Sequence, residues 1–385
     1  MEDKRFRFFV PAAAGLTFFL GFESGGFQLA LLQVAKEFSL GKTMMGILVA
    51  VQFSAITSAP LLFGHIADKT GKRKILLFFM PVFFAGCIFT ALSGSVGFFI
   101  AGIFLTGIGY SVCECISSSA LSDTFPGKEN RYLNLVQSTF GFGAVVSPIL
   151  LNRLLSTGLF SWRIIFYLAA AGYAVLYPLM LVSRCGKADC SSDAKKKSVL
   201  EALLHPPLLA ILFGAIAAYV AMETSVAYFA DSLFVMEYNN TVLGAYAVSG
   251  FWLAMTLSRF VFAWLQIKSC IVSFFGFALP ALLFVLLLFL KHEIPLLIFF
   301  IFLGAMMGPV WPMIVGMGTS SYPGISGMVS SILMVGGGIG GAVIPVLIGT
   351  ISEVLGLHIG FSLLAFISLG GFFLMARTKK FSPKM

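Results

Sequence analysis

Charged side chains are scarce. Lys, Arg, Asp and Glu together make up 11% of the 385 residues, whereas soluble domains carry about 25%. With 59% hydrophobic residues and a mean hydropathy of +0.98, the chain is excluded from the ordinary soluble class. Histidine is rarer still. His65, His205, His292 and His358 fall in loops or at the ends of apolar runs, away from other candidate ligands, which argues against a membrane enzyme built on a metal or on a nucleophile and base. The six cysteines lie in apolar runs or, as Cys185 and Cys190, in a polar loop, so no disulfide framework is indicated. Cys113 and Cys115 have a spacing unlike common zinc sites and read as small helix-packing residues. The stretch from 184 to 207 alone reads as soluble for any length, and it leaves no room for a signalling domain.

What fills the chain is a series of apolar runs, at about 7–34, 43–63, 75–93, 96–122, 132–153, 163–183, 208–236, 241–266, 271–290, 295–319, 328–353 and 359–376. Each is near the ~20 residues a helix needs to cross ~30 Å of hydrocarbon, and none shows the shorter alternation of a β-barrel strand. The expected class is an all-α integral membrane protein with twelve spans. The first run follows Lys4, Arg5 and Arg7 as a signal peptide would, but it is too long for one and continues past Glu23 to Leu32. The net charge of +9 does not point to nucleic acid, because the basic residues follow the loops. Of the 25 Lys and Arg, nineteen fall on one side of the spans, five on the other (Lys36, Lys42, Arg153, Arg163 and Lys291), and Arg259 alone falls within a span. That asymmetry predicts both termini in the cytoplasm, in a plasma membrane of the bacterial inner-membrane kind. Lys195-Lys196-Lys197 reinforces the topology or touches anionic lipid.

The runs repeat. Gly141-Phe142-Gly143-Ala144 leading to Pro148 recurs as Gly338-Ile339-Gly340-Gly341 leading to Pro345, an offset of 197. Gly107 and Gly304 share that offset, and Glu23-Ser24 matches Glu223-Thr224 at 200. The expected organisation is a first six-helix bundle over 1–183, a linker over 184–207 and a second bundle over 208–385. Such repeats place solute sites near the membrane midplane, where the halves meet.

Acids inside spans need a reason, since a charge at the bilayer centre costs about 2.5 to 3.5 kcal/mol on insertion scales. Glu114 sits near the middle of the fourth span, and Tyr110, Glu114, Ser117, Ser118 and Leu121 recur at helical spacing, giving that helix a face that lines a cavity rather than lipid. Glu23 interrupts the first span and Glu223 the seventh. Asp231, eight residues beyond Glu223, reads as solvated at the outer end. Arg259 reads either as an ion-pair partner or as a ligand. In the second span Thr57 and Ser58 read as interhelical hydrogen bonders, and Gln52 as that or a solute contact. In the tenth, Pro309 and Pro312 flank Val310-Trp311 and free backbone groups. Trp311 occupies the place that Glu114 has in the first half. An aromatic plane opposite a carboxylate suits a sugar, although a packing tryptophan beside a kink fits equally.

Between the second and third spans stands Gly64-His65-Ile66-Ala67-Asp68-Lys69-Thr70-Gly71-Lys72-Arg73-Lys74, one carboxylate beside four cations in a short glycine-containing turn. Gly64, Asp68, Lys69, Gly71, Lys72 and Arg73 stand at every position of G-x-x-x-D-K/R-x-G-R/K-R/K. In this the chain resembles the major facilitator superfamily, which implies two pseudo-symmetric six-helix bundles and a gate at Gly64, Asp68, Lys69, Gly71 and Arg73. Further motifs look like the branch of fucose and glucose to proton symporters: Gly107, Gly109 and Glu114 in the fourth span, Glu223-Thr224 in the seventh, and Gly308-Pro309-Val310-Trp311-Pro312 in the tenth. The chain departs from that branch at Cys115, Ser118 and Trp311. The resemblance implies that Glu114 and Glu23 take part in proton coupling or in holding substrate.

Together these features predict a monomeric secondary transporter moving a small polar solute, such as a sugar, with a proton by alternating access, without cofactor or metal. Its partners are that solute, protons or alternatively sodium, and membrane lipid. Proton coupling is expected at Glu114, Glu23 and Glu223. Solute contacts are expected from Tyr110, Glu114, Gln137 and Gln28 in one half and Glu223, Tyr228 and Trp311 in the other. The alternative is proton-driven efflux of drugs or metabolites. The G-P-x-x-G-G of such exporters has no counterpart in the fifth span, which reads Ser147-Pro148-Ile149-Leu150-Leu151-Asn152.

Overall fold

A computed structural model describes residues 4–40, 42–185, 206–265 and 267–378. Most of the expected linker, with Cys190 and Lys195-Lys196-Lys197, lies outside the described residues. The helices are α1 (Lys4–Glu37), α2 (Lys42–Thr70), α3 (Lys72–Ala91), α4 (Val96–Thr124), α5 (Glu129–Ser156) and α6 (Ile164–Val182), followed by α7 (Pro206–Tyr238), α8 (Thr241–Phe262) and α9 (Ser269–Leu286). α10 (Glu293–Met307), α11 (Val310–Ser321), α12 (Ser326–Leu355), α13 (Leu357–Ser362) and α14 (Leu364–Thr378) complete the order. Among the described residues twelve spans are long and apolar enough to cross a membrane, with α10 and α11 forming one and α13 and α14 another. This is a multi-pass membrane protein of two pseudo-symmetric six-helix bundles.

Close approach of backbones holds each half, as expected where lipid offers no hydrophobic drive between helices. α1 packs along α5, and its counterpart α7 packs along α12. The repeat shows in atoms as well as letters. A Cβ built on Gly143 would fall 2.1 Å from the Phe18 carbonyl oxygen, and one on Gly340 would fall 2.0 Å from that of Ala217, so any side chain would drive the helices apart. The turns after α1 and α7 match too, each placing a non-glycine residue in the left-handed region, Ser39 at φ 52° and Asn239 at φ 54°.

The halves meet along α2 with α12 and α5 with α8. On the face where α2 ends and α12 begins these pairs touch; on the opposite face they part around a vestibule. We call the first, where the motif expected to gate lies, the gate face, and the second the vestibule face.

Candidate functional site

Two prolines build the floor of the site. Pro309 and Pro312 have no backbone N–H, so the carbonyls of Ala305 and Gly308 lose their helical donors and the tenth span breaks into α10 and α11. Consecutive residues of α8 supply replacements. Ser258 Oγ donates to the Ala305 carbonyl at 2.6 Å, and Arg259 Nε to the Gly308 carbonyl at 2.9 Å. Arg259 is 3% exposed and has three more partners. Nη2 donates to Tyr219 Oη at 3.0 Å and to Glu223 Oε1 at 3.4 Å, while Nη1 reaches across to the Gln137 carbonyl of the other half at 3.3 Å. Tyr219 Oη in turn donates to Glu223 Oε1 at 2.8 Å. Arg259 therefore ties α7, α8 and the α10–α11 break to α5.

Above this floor lies a cavity of about 150 Å³ between the halves. Glu23, Gln28, Tyr110, Glu114, Gln137, Glu223, Tyr228 and Trp311, all singled out in the sequence, line it together, and so does Arg259. Glu114 is nearly buried and accepts from Gln137 Nε2 at 3.4 Å. Glu23 is fully buried and accepts from Gln52 Nε2 at 3.0 Å, and its Oε2 has no hydrogen-bond partner among the described residues. The two acids thus have one amide apiece, whereas Glu223 has a guanidinium. Gln28 and Tyr228 also line a vestibule of about 440 Å³ that opens beyond the cavity, with Asp231 on its wall.

Sequence reasoning left out the rings of Phe27, Phe53, Phe140 and Trp252, because an aromatic residue in an apolar span carries no mark of facing water. Two expectations are corrected. Thr57 and Ser58 bond the carbonyls of Phe53 and Ser54 in their own helix, not a neighbour, since a hydroxyl in a helix reaches the carbonyl four residues back. The gate-face motif uses its residues unequally. Asp68 accepts from the backbone N–H of Gly327 at 3.0 Å and Met328 at 2.9 Å, so it sits at the N-terminus of α12, where the helix dipole favours an anion. Gly64 lets α12 in, as a Cβ there would lie 1.9 Å from Ser331 Oγ. Gly71 turns the chain at φ 102°. The cation that reaches the seam is Lys72, which bonds Asp123 and Ser326 and lies 3.6 Å from Asp68. Lys69 is exposed, and Arg73 donates to the Leu181 carbonyl within its own half.

A sequence profile of the Major Facilitator Superfamily matches residues 13–287. The chain belongs to the Major Facilitator Superfamily. Its fold resembles that of superfamily member FucP, described for Escherichia coli as a fucose:proton symporter. FucP in the outward conformation overlays with a TM-score of 0.81 at 17% identity, over 96% of this chain and 98% of that one. The proton:xylose symporter XylE, bound to 6-bromo-6-deoxy-D-glucose, overlays with a TM-score of 0.79 at 14% identity, over 100% of this chain and 97% of that one. Curated relatives by sequence include the multidrug resistance protein MdtL of Citrobacter koseri, 23% identical over 182 residues, and of Escherichia coli O81, 24% identical over the same length. These alignments span 46% of this chain and 46% of each relative, so the chain matches just under half the length of those proteins.

Proposed function

We propose that this superfamily transporter moves a small polar solute, such as a sugar, together with a proton by alternating access. The observation that carries the reading is the contrast among the three cavity acids. Glu223 has the Arg259 guanidinium at 3.4 Å, while Glu23 and Glu114 accept from one amide each and form no ion pair within 4 Å among the described residues. A carboxylate without a counter-ion inside a membrane is costly when charged, so a bound proton or a cation suits it. Trp311, Trp252 and Tyr110 offer planes for the C–H faces of a sugar ring, and Gln52, Gln137 and the acids offer partners for hydroxyls. With the termini cytoplasmic, as the charge asymmetry predicts, the open vestibule faces outward and the Asp68 seam closes the inner side.

Glu114→Gln is expected to abolish solute accumulation driven by a pH gradient in vesicles while leaving solute exchange measurable. Undiminished accumulation would refute a coupling role for Glu114.

A second reading, proton-driven efflux, is favoured by the partial likeness to MdtL and by the aromatic lining of the cavity. Uptake of labelled sugars compared with drug tolerance, in the same expressing cells, separates the two.

A further inference from the structure

The solute cavity is bounded by two crossings between the halves that have the same chemistry. At one, Gly141 of α5 faces Thr256 of α8, and a Cβ built on Gly141 would lie 2.1 Å from Thr256 Oγ1. At the other, Gly338 of α12 faces Thr57 of α2, and a Cβ built on Gly338 would lie 2.2 Å from Thr57 Oγ1. The glycines are 197 residues apart and the threonines 199, so one element of the repeat has been used twice. Neither hydroxyl turns aside cheaply. Each donates at 2.8 Å to the carbonyl four residues back, that of Phe53 for Thr57 and that of Trp252 for Thr256, and both of those rings line the cavity.

The crossings mark a change along both seams. Toward the gate face the halves touch. Gly64 and Asp68 meet the start of α12, Arg259 bonds the Gln137 carbonyl, and the Arg131 guanidinium lies 4.2 Å from the Trp264 ring centre. Toward the other face they part. Ala144 and Pro148 of α5 and Val248 of α8 line the open vestibule, and Gly341, three residues further along α12, meets the Phe53 ring only at an ordinary 3.6 Å.

We propose that Gly141 with Thr256, and Thr57 with Gly338, form the fulcrum on which the halves rock, and that the Phe53 and Trp252 carbonyls tie its position to the solute. This rests on the alternating access proposed above. Hydroxyl bonding to the carbonyl four residues back bends a helix slightly, so a solute pressing on either ring acts at the point where the bend is set. A glycine at each crossing keeps the contact small enough for one helix to roll over the other. A methyl group there becomes a spacer that keeps the gate seam from closing.

Deuterium exchange of the full chain in detergent micelles tests this without knowledge of the solute. The amides of Gly327 and Met328, which donate to Asp68, report the gate. Gly141→Ala and Gly338→Ala are each expected to raise their exchange about tenfold, in line with overpacking of a close contact. The matched pairs G141A/T256A and G338A/T57A are expected to return to wild-type exchange, and the crossed pairs G141A/T57A and G338A/T256A to stay high. Single variants that exchange like wild type, or crossed pairs that recover as fully as matched ones, overturn the proposal. If alternating access itself is wrong, the wild type shows no opposed change at gate and vestibule amides between acidic and alkaline pH. If only the fulcrum is wrong, that opposed change remains and the glycine variants leave it untouched.

Discussion

At the scale of single residues, the site depends on which charges have partners. Arg259 satisfies Glu223, Tyr219 and two carbonyls at once, so removing it leaves the Glu223 carboxylate without its counter-ion, held by Tyr219 Oη alone, and the Gly308 carbonyl without a donor. Arg259→Gln is expected to destabilise the protein by about 3 kcal/mol or more, as loss of one partner of a buried pair does. Glu223→Gln in the same chain should recover part of that loss, as read by thermal unfolding in detergent. Equal melting of the single and double variants would deny that the pair is coupled. The sequence marked Arg259 as a lone cation but not what it holds. Its Gly308 partner is freed by Pro312, about fifty positions later in the chain, and its Gln137 partner belongs to α5 of the other half, so only packing brings them together. The acids were easier to find, because a charge in an apolar run stands out by composition alone.

At the scale of helices and turns, two clamps make separate predictions. Asp68 sits at the start of α12 through two backbone N–H groups. Asp68→Asn keeps the shape but loses the charge that the helix N-terminus favours, worth about 1 kcal/mol, and is expected to slow solute exchange across vesicles while solute affinity is kept. Full-speed exchange would remove Asp68 from the gate. On the vestibule face, Arg163 bonds Glu37 through both terminal nitrogens at 2.8 and 2.7 Å, and Trp162 Nε1 adds a third bond at 2.7 Å. The Arg163 hydrogen bonds hold the Glu37 carboxyl below its ordinary value of 4.5. A carboxylate whose folded pKa is lowered contributes stability above about pH 4.5, lost as pH falls through the lower folded value. Acid unfolding followed by circular dichroism should thus show a Glu37-dependent loss below pH 4.5 that Glu37→Gln abolishes. An unchanged acid profile would mean that the bonds add nothing to the fold. The cluster around Asp68 was legible in the sequence, yet the division of labour within it was not. Whether Lys69, Lys72 or Arg73 reaches the seam depends on which side of α2 and α3 meets α12, and a turn with cations at nearly every position hides that.

At the scale of the whole molecule, the fold was nearly transparent in the sequence. Apolar runs of membrane length set the spans, and the recurrence of Gly141 to Pro148 at Gly338 to Pro345 set the pairing of the halves. The glycines of that repeat mark the places where backbones touch, Gly143 on Phe18 and Gly340 on Ala217. The breaks within the last spans were less legible. Pro309 precedes α11 and Pro312 lies in its first turn, where a residue without an N–H is tolerated although the Gly308 carbonyl still loses its helical donor, and nothing in the letters distinguishes the two.

The central claim is that Glu23 and Glu114, held between the halves, decide which face is open. Distances between spin labels test it most directly, with one pair across the vestibule mouth at Lys36 and Met236 and another across the gate face at Lys128 and Ile267, four exposed positions. A change from acidic to alkaline pH is expected to lengthen one distance as it shortens the other, and the double replacement of Glu23 and Glu114 by glutamine is expected to abolish that response. Distances that ignore pH in the wild type, or that respond equally after both acids are replaced, would contradict it.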